Sequence, residues 1–255
     1  KKINLAIDIM GGDFGPSETI SGVYEASKKH PNVFFKLFGN KKLAISEIKK
    51  FPNFSNFEII HTNEYIRSSD QPVEALRKLK KSSMRLAVND VGDGKSHGLV
   101  SSGNTGALMA ISKFVLKTLN GISRPAIAGL MPSLKGEIVI LDLGANVECS
   151  SINLVQFAIM GEVFSKSLIG IMNPKVGILN VGSEEIKGNA IVKKTFEDLE
   201  NLSPKINFFG FIEGNDINKG IVDVVVTDGF SGNIALKTAE GVAQLIVNFL
   251  QNAYS

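Results

Sequence analysis

The pattern of apolar and polar positions along the chain predicts alternating strands and helices. Short apolar runs bounded by glycine and polar residues predict eight strands, several of them nearly continuous in Val, Ile, Leu and Phe, as is typical of strands covered on both faces. The predicted strands are Asn4 to Asp8, Val33 to Phe38, Phe57 to His61, Gly98 to Ser101, Glu137 to Leu143, Lys175 to Val181, Ile206 to Phe211 and Asp223 to Thr227.

Apolar residues at helical spacing lie between these runs. One set is Leu108, Ile111, Val115 and Leu119, and a second runs from Val242 to Leu250. Alternating strands and helices indicate an α/β fold, a three-layer α/β/α arrangement with a mostly parallel sheet. Since no linker, low-complexity tract or internal repeat interrupts residues 1–255, we expect a single domain.

Composition narrows the possible partners and compartment. With 44% hydrophobic residues, the 255-residue chain can bury a large core. Its net charge of +3, from 28 basic and 25 acidic residues, gives no reason to expect nucleic-acid binding. The one cysteine is typical of a reducing cytoplasm. No uninterrupted apolar run reaches the roughly 18 to 20 residues of a membrane span, and the first apolar run ends in Asp8 and glycines, so we read it as a strand.

Five predicted strand exits are rich in glycine and asparagine. In open α/β sheets, ligands bind at the carboxyl ends of strands, where glycine permits close approach and asparagine supplies a donor and an acceptor. Any one of these turns could be an ordinary helix-capping turn. Five at one edge favour a single ligand cleft. The turns are DIMGGDFGPS (8–17), SSGNTGA (101–107), DLGANVE (142–148), NVGSEEIKGN (180–189) and TDGFSGN (227–233).

The second of these turns suits an anion such as phosphate. Ser102, Gly103, Asn104 and Thr105 contain no acid, and a helix is expected to begin at Gly106 or Ala107. Arg124, in the segment ISRPA, is either a fork for the same phosphate or an ordinary loop charge.

Other chemical signatures are absent from the sequence. NDVGDGKS (89–96) resembles a phosphate-binding loop but has Asn89 in place of the first glycine and leads into a strand. There is no GxGxxG, HExxH or CxxC motif, so we expect no nucleotide cofactor and no metal. The three histidines are placed unfavourably for a dyad with Cys149, which we interpret as a small, partly buried residue.

Lys187 and a basic helix each have a purely structural and a functional interpretation. Lys187 could clamp phosphate or stabilise an oxyanion, or simply pair with Glu184 at the surface. A helix is predicted over residues 70–86, with Asp70 as its N-cap and Pro72 in its first turn. Its basic residues form either a solvated face or a docking face for an acidic protein or an anionic membrane; they are Arg77, Lys78, Lys80, Lys81 and Arg85.

Several motifs, in order, resemble the PlsX family, the acyl-[acyl-carrier-protein]:phosphate acyltransferases of bacterial phospholipid synthesis. They are IDIMGGD, VSSGNTGALM, SRPAIA, LDLGANVE, QFAIMG, ILNVGSEEIKGN and VDVVVTDGFSGNIALKT, and they extend from residue 3 to about residue 245. Departures from the family are Ile9, where a small residue is usual, and Phe14-Gly15, where Asn-Ala is usual. The family continues beyond the helix near Tyr254 into a YGGAPLLG-like motif, and we expect this segment to be missing here.

The resemblance implies a fold similar to isocitrate and isopropylmalate dehydrogenases and to phosphotransacetylases. It also implies a cytoplasmic homodimer that moves a fatty acyl group from acyl carrier protein to inorganic phosphate. A membrane acyltransferase would then use the acyl phosphate for phospholipid synthesis, so peripheral membrane association is a further expectation. The carrier protein could dock on Arg77, Lys78, Lys81 and Arg85.

Phosphate is already a nucleophile and a thiolate is a ready leaving group, so this reaction needs positioning and oxyanion stabilisation more than a general base. Our hypothesis places phosphate at Ser102, Gly103, Asn104 and Thr105, with Arg124 as an additional ligand. Lys187 and Asn233 stabilise the oxyanion, and Asp228 orients one of them. Asp8, Asp13 and Asn146 line the same edge.

Three alternatives remain open. A coenzyme A-dependent phosphate acetyl- or butyryltransferase would share the fold and the reaction type. A decarboxylating 2-hydroxyacid dehydrogenase would share the fold, but its arginine cluster and metal-binding aspartates are not recognisable in this sequence. A non-catalytic membrane scaffold for lipid enzymes would bind lipids or partners without consuming thioester.

Overall fold

The computed structural model describes residues 3–203 and 205–254. The chain divides into two compact units, Lys1–Leu119 and Asn120–Ser255, each with its own sheet. The elements of unit 1 are β1 (Ile3–Asp8), α1 (Pro16–Lys29), β2 (Val33–Gly39), α2 (Lys41–Ile48), β3 (Phe57–His61), α3 (Pro72–Lys78), α4 (Ser83–Gly92), β4 (Gly98–Ser101) and α5 (Thr105–Leu116).

Unit 2 contains five strands and four α-helices. They are β5 (Ala128–Ser133), β6 (Gly136–Leu141), α6 (Ser151–Phe164), β7 (Val176–Leu179), α7 (Ala190–Glu200), β8 (Phe208–Ile212), α8 (Gly214–Ile217), β9 (Val224–Val226) and α9 (Gly229–Tyr254). A short π-helix, Ser165–Ile169, continues α6.

The sheet of unit 1 is entirely parallel, with the strand order β3-β2-β1-β4. The chain leaves β1 toward β2 on one side and later returns to place β4 on the other side. The carboxyl ends of β1 and β4 therefore form a topological switch point, the position at which open α/β sheets bind ligands.

The sheet of unit 2 has the order β5-β6-β9-β7-β8, with β5 antiparallel and the other four strands parallel. Because β9 lies between β6 and β7, the exits of these three strands are neighbours. Leu141, Val226 and Ile178 are in register across them, so the three loops leave the sheet at the same level.

Both sheets are covered on both faces. In unit 1, Ile7 and Leu37 pack toward α1 and α2, while Ala6 and Phe38 pack toward α4. In unit 2, Val224 and Val226 face α6 and α7, whereas Val225 belongs to the core next to α8 and α9. This is the expected three-layer α/β/α arrangement, in which a fully buried Val or Phe stabilises the fold by roughly 1.5–3 kcal/mol.

Helix α6 lies unusually close to the sheet. A Cβ at Gly161 would collide with side chains of Val224 and Leu141, so only glycine permits this separation. By length and composition alone, Ser151–Ile169 is also long and apolar enough to span a membrane, with a mean hydropathy of 1.2. Its Leu154 and Phe157 are fully buried against the strands, as in the core helix of an α/β fold.

The eight predicted strands are confirmed to within two residues at either end, and Phe57–His61 and Gly98–Ser101 have the predicted bounds. One further strand of the structure, β5, was not predicted because Gly129 and Pro132 interrupt its apolar pattern. The predicted helix at Leu108 is confirmed but ends at Leu116, before Leu119, and residues 242–250 lie in α9 as predicted. The single domain expected from the sequence stays a prediction.

The prediction of one helix over residues 70–86 is wrong. Helix α3 ends at Lys78, and α4 starts at Ser83 because the Ser82 hydroxyl accepts the Arg85 N–H as an N-cap. Asp70 is not the cap of α3: Gln71 occupies that position without a side-chain cap, and Pro72 is in the first turn as predicted.

Candidate active site

The phosphate turn predicted between β4 and α5 lies at the switch point of unit 1. Strand β4 ends at Ser101 and α5 begins at Thr105, earlier than the Gly106 or Ala107 expected from the sequence. Gly103 approaches Gly11 in the β1 exit so closely that a Cβ on Gly11 would lie 2.7 Å from the Gly103 nitrogen. The first N–H groups of α5 have no partner within the helix and are suited to an anion.

Asp8 supports this turn from below. Its carboxylate is buried and accepts hydrogen bonds from the Ser101 hydroxyl at 2.7 Å and the Met10 N–H at 3.2 Å. The Ser101 oxygen in turn accepts the Gly103 N–H at 3.1 Å. Asp8 therefore positions backbone rather than presenting an acid to a ligand. The Ser102 hydroxyl similarly donates to the Gly11 carbonyl at 3.2 Å.

Both polar atoms of the Asn104 side chain form hydrogen bonds within unit 1. Its Oδ1 caps α5 by accepting the Ala107 N–H at 3.0 Å. Its Nδ2 lies within 2.9–3.4 Å of three carbonyl oxygens, those of Arg67, Ser68 and Asp70. The side chain thus fastens the segment 67–70 to the turn, which differs from the direct phosphate contact predicted from the sequence.

The remaining predicted residue of unit 1, Asp13, is exposed in the β1 exit loop. Its neighbour Phe14 is exposed as well. The look-alike motif at 89–96 crosses the end of α4 and leads into β4, as predicted, and its Lys95 pairs with Asp93.

In unit 2, the central residue of the β6 exit is Asp142, which sequence reasoning did not select. Its carboxylate is fully buried and accepts five hydrogen bonds of 2.7–3.2 Å, from the backbone N–H groups of Ile127, Gly144, Ala145 and Asn146 and from the Asn146 amide. The sequence contained a signal for this role: Asp142 directly follows the apolar run IVIL, and a glycine, Gly144, comes two residues later.

Asn146 joins three segments. Its Nδ2 donates to the Pro125 carbonyl and to Asp142, both at 2.8 Å, and its own carbonyl accepts the Gly229 N–H at 2.8 Å. The residue is largely buried and holds the loop together, and its place along the ligand edge stays a prediction.

The predicted orientation of Lys187 or Asn233 by Asp228 is not found. Both Asp228 oxygens accept from Ser231, one from its N–H at 2.7 Å and one from its hydroxyl at 3.1 Å, which is the pattern of an N-cap on α9. Asn233, in the first turns of α9, is exposed. Its Oδ1 would lie 3.5 Å from a Cβ added to Gly144. Within the described part of the chain its amide has no hydrogen-bond partner, so it can bind a ligand oxygen.

Lys187 lies in the β7 exit loop and forms an ion pair with Glu184 at 2.8 Å. The hydrogen bond that Lys187 donates to the Glu184 carboxylate raises the pKa of Lys187, and the same bond lowers the pKa of Glu184. The Lys187 side chain is 46% exposed, so the pair leaves it accessible to a ligand. This geometry agrees with the surface-pair interpretation and is compatible with the functional one, and the catalytic role stays a prediction.

Arg124 lines an open cavity of about 520 Å³ in unit 2. The start of α6, the start of α7 and Lys194 also line this cavity. One guanidinium nitrogen donates to the Glu148 carbonyl at 3.2 Å. The cavity therefore combines two helix N-termini with charges of both signs, since Glu148 also lines it and Lys194 is paired with Glu197 and Asp198 at 3.2 and 3.0 Å.

Cys149 is buried beside the same loop, and burial raises the pKa of its thiol. Its Sγ contacts the Asn146 carbonyl at 3.5 Å, which agrees with the predicted structural role. Among residues 3–203 and 205–254, no group of three or more His, Cys, Asp and Glu side chains is placed to hold a metal ion.

The basic residues predicted to dock a partner divide into two classes. Lys78 is paired with Glu74 at 3.0 Å, and Arg85 donates to Asn89 at 3.2 Å. Arg77 and Lys81 are exposed, with no side-chain partner in the described ranges.

Comparison with known proteins agrees with the family indicated by the motifs. A family model described as "Fatty acid synthesis protein" matches residues 3–255. The phosphate acyltransferase of Paramagnetospirillum magneticum is 50% identical over 253 residues, which cover 99% of this chain and 72% of the relative. The phosphate acyltransferase of Shewanella woodyi is 50% identical over 256 residues, which cover 98% of this chain and 73% of the relative.

Solved structures share the fold at low sequence identity. EutD phosphotransacetylase from Staphylococcus aureus has a TM-score of 0.66 and 18% identity, with 95% of this chain and 83% of that chain covered. A branched-chain phosphotransacylase from Enterococcus faecalis V583 has a TM-score of 0.58 and 13% identity, with 94% and 84% covered. The chain therefore belongs to the fatty acid synthesis protein family, the PlsX family of phosphate acyltransferases, and is itself an acyltransferase.

Proposed function

We propose that this acyltransferase transfers a fatty acyl group from acyl carrier protein to inorganic phosphate and releases an acyl phosphate. The observation that carries the proposal is the turn between β4 and α5, which offers backbone N–H groups to an anion while its nearest buried acid, Asp8, accepts a hydrogen bond on each of its two oxygens from Met10 and Ser101. The name of the relatives, phosphate acyltransferase, and the family description support the same reaction.

Phosphate is held at the turn by the N–H group and the hydroxyl of Thr105, while Gly103 and Ser102 shape the turn through their hydrogen bonds to Ser101 and Gly11. Asn104 keeps the turn in shape through α5 and the segment 67–70. Catalysis at this part of the site is positional, because a phosphate dianion needs no base to become nucleophilic.

The acyl thioester is activated by Asn233 and Lys187. A phosphate oxygen attacks the thioester carbonyl carbon, the carbonyl electrons move onto oxygen, and the resulting oxyanion accepts hydrogen bonds from these two side chains. When the carbonyl re-forms, the C–S bond breaks and the carrier thiolate leaves with the electron pair. The free amide of Asn233 and the accessible ammonium of Lys187 support this assignment.

Carrier protein docks through Arg77 and Lys81, with Lys78 and Arg85 as secondary contacts. The exposed, unpaired side chains of Arg77 and Lys81 support an acidic partner better than the paired Lys78 and Arg85 do. Charge reversal at Arg77 should raise KM for acyl carrier protein and leave KM for acyl-coenzyme A unchanged.

The product serves a membrane acyltransferase in phospholipid synthesis, and the enzyme works in the cytoplasm as a homodimer close to that membrane. The exposed apolar side chains of the far part of α9, including Val242, Ile246 and Phe249, support association with a second copy. Sedimentation analysis of the purified chain tests the dimer.

The deciding experiment incubates the protein with palmitoyl-carrier protein with and without inorganic phosphate. We expect carrier thiol to appear only with phosphate, in amounts equal to the radiolabelled phosphate that enters the organic-extractable acyl phosphate. Thiol release without phosphate would indicate a hydrolase. Preference for acyl-coenzyme A would favour the coenzyme A-dependent transferases, and binding without thiol release would favour a scaffold.

A further inference from the structure

The three neighbouring loops of unit 2 that carry the polar candidates also expose large apolar side chains. Val147 in the β6 exit is 63% exposed, Val181 and Ile186 in the β7 exit are 79% and 82% exposed, and Phe230 after β9 is 59% exposed. We refer to these four residues as the apolar rim. Exposed apolar clusters bordered by polar groups are typical of binding surfaces.

The sheet places the loops that carry these four side chains on neighbouring strands. Their loops follow Leu141, Ile178 and Val226, which are in register on adjacent strands separated by about 4.8 Å. The Gly229 N–H donates to the Asn146 carbonyl at 2.8 Å, so Val147 and Phe230, the next residue in each segment, lie on loops in direct contact.

The β7 exit loop is closed on itself. The Asn180 amide donates to the carbonyls of Gly182 at 3.0 Å and Lys187 at 3.2 Å, which holds the two ends of the 181–187 segment near each other. Val181 and Ile186 are therefore presented by one closed loop that also carries Lys187. Asn233 adds a free amide beside the β6 exit, against Gly144.

We infer that the apolar rim binds the acyl chain of the donor, directly beyond the thioester carbonyl. This inference rests on the proposed function, which places that carbonyl at Asn233 and Lys187. A chain attached to the carbonyl must begin on the same loops, and each methylene that it buries there is favourable by about 0.8 kcal/mol.

Charge argues against carrier protein as the occupant of the rim. The same loops contain Glu148, Glu184 and Glu185, of which only Glu184 is paired with a lysine. An acidic carrier surface would be repelled there, whereas an uncharged alkyl chain would not. Four side chains are also far short of the roughly 800 Å² per partner of a stable protein interface, which argues against a second copy.

Chain-length dependence tests the inference. Ile186→Ser and Phe230→Ala would be assayed with butyryl-, octanoyl- and palmitoyl-carrier protein, with Leu134→Ser as the matched control. Leu134 is 87% exposed but lies in the β5–β6 hairpin, at the opposite end of β6. We expect each rim variant to lower kcat/KM for palmitoyl donor by about tenfold and for butyryl donor by less than about twofold. The control should leave the profile unchanged.

Several results would overturn the inference. A profile equal to that of the wild type, or an equal loss at every chain length, would show that the rim does not contact the chain. A loss seen with carrier-bound donors but not with the matching coenzyme A thioesters would assign the rim to carrier protein. A change in sedimentation would assign it to a second copy.

Failure of the proposed function is recognised separately. If the wild-type protein forms no acyl phosphate from any of the three donors, both the proposed function and the inference about the apolar rim are refuted. If it forms acyl phosphate and the rim variants keep the wild-type chain-length profile, only the inference falls.

Discussion

Replacing Asp142 with asparagine changes the shape of this buried side chain very little but removes one of its two acceptor oxygens. Oδ1 accepts three N–H groups and Oδ2 accepts two, both from Asn146. The less costly orientation puts the new NH₂ group at Oδ2, where it faces two donors. Losing two hydrogen bonds to a charged acceptor, at about 1.5–3 kcal/mol each, should destabilise unit 2 by about 3–6 kcal/mol.

The assay is native-state hydrogen exchange of the β6 and β9 amides, which reports the opening free energy of this region without requiring the whole chain to unfold in one step. Asp93→Asn is the control, because Asp93 belongs to an exposed ion pair with Lys95, which solvent screens and which adds little to stability. If Asp142→Asn changes the opening free energy by no more than this control, the five hydrogen bonds do not hold the β6 exit together and our account of that loop is wrong.

The remaining predictions concern Asn104, Lys187 and Cys149. Asn104→Ser keeps a cap for α5 but removes the amide that holds segment 67–70, so KM for phosphate should rise roughly tenfold together with faster exchange in that segment; a higher KM with unchanged exchange would instead make Asn104 a direct ligand. Lys187→Ala should lower turnover by about 10²–10³ without loss of stability, and near-normal turnover would remove Lys187 from the site. Because Glu184 raises the pKa of Lys187, Glu184→Gln should lower that pKa and move the alkaline limb of the pH–rate profile to lower pH; an unmoved limb would contradict the role of Lys187. Burial raises the pKa of the Cys149 thiol, so iodoacetamide should label it slowly in the native protein and quickly in urea, and rapid native labelling would refute its burial.

Much of the fold could be predicted from hydrophobic patterning because buried parallel strands are simple apolar runs. Strands such as Phe57–His61 are short, continuous and bounded by polar residues, which leaves little freedom in their limits. The hydrophobic pattern gave a wrong prediction where a single polar residue determines the start of a helix. The basic segment after Pro72 has helical spacing throughout, yet the Ser82 hydroxyl starts a new helix within it.

The position of the candidate site could be predicted better than the role of each residue in it. Glycine- and asparagine-rich strand exits selected the candidate loops, because backbone that must approach a ligand closely has few alternatives to glycine. Residue type alone does not distinguish an asparagine that faces a ligand from one that caps a helix. Asn104 and Asn146 are consumed by internal hydrogen bonds, whereas Asn233 is free, and only their three-dimensional neighbours separate these cases.

The edge strand β5 has a consequence for solubility. It borders the sheet of unit 2, where an unpaired strand could recruit a strand from another molecule and start aggregation. Pro132 lacks an N–H, and Gly129 has little tendency to stay extended, so the strand is a poor template for continued pairing. Gly129 and Pro132, which interrupt the apolar pattern of β5 and kept it from being predicted, are thus also the residues that oppose edge-to-edge aggregation.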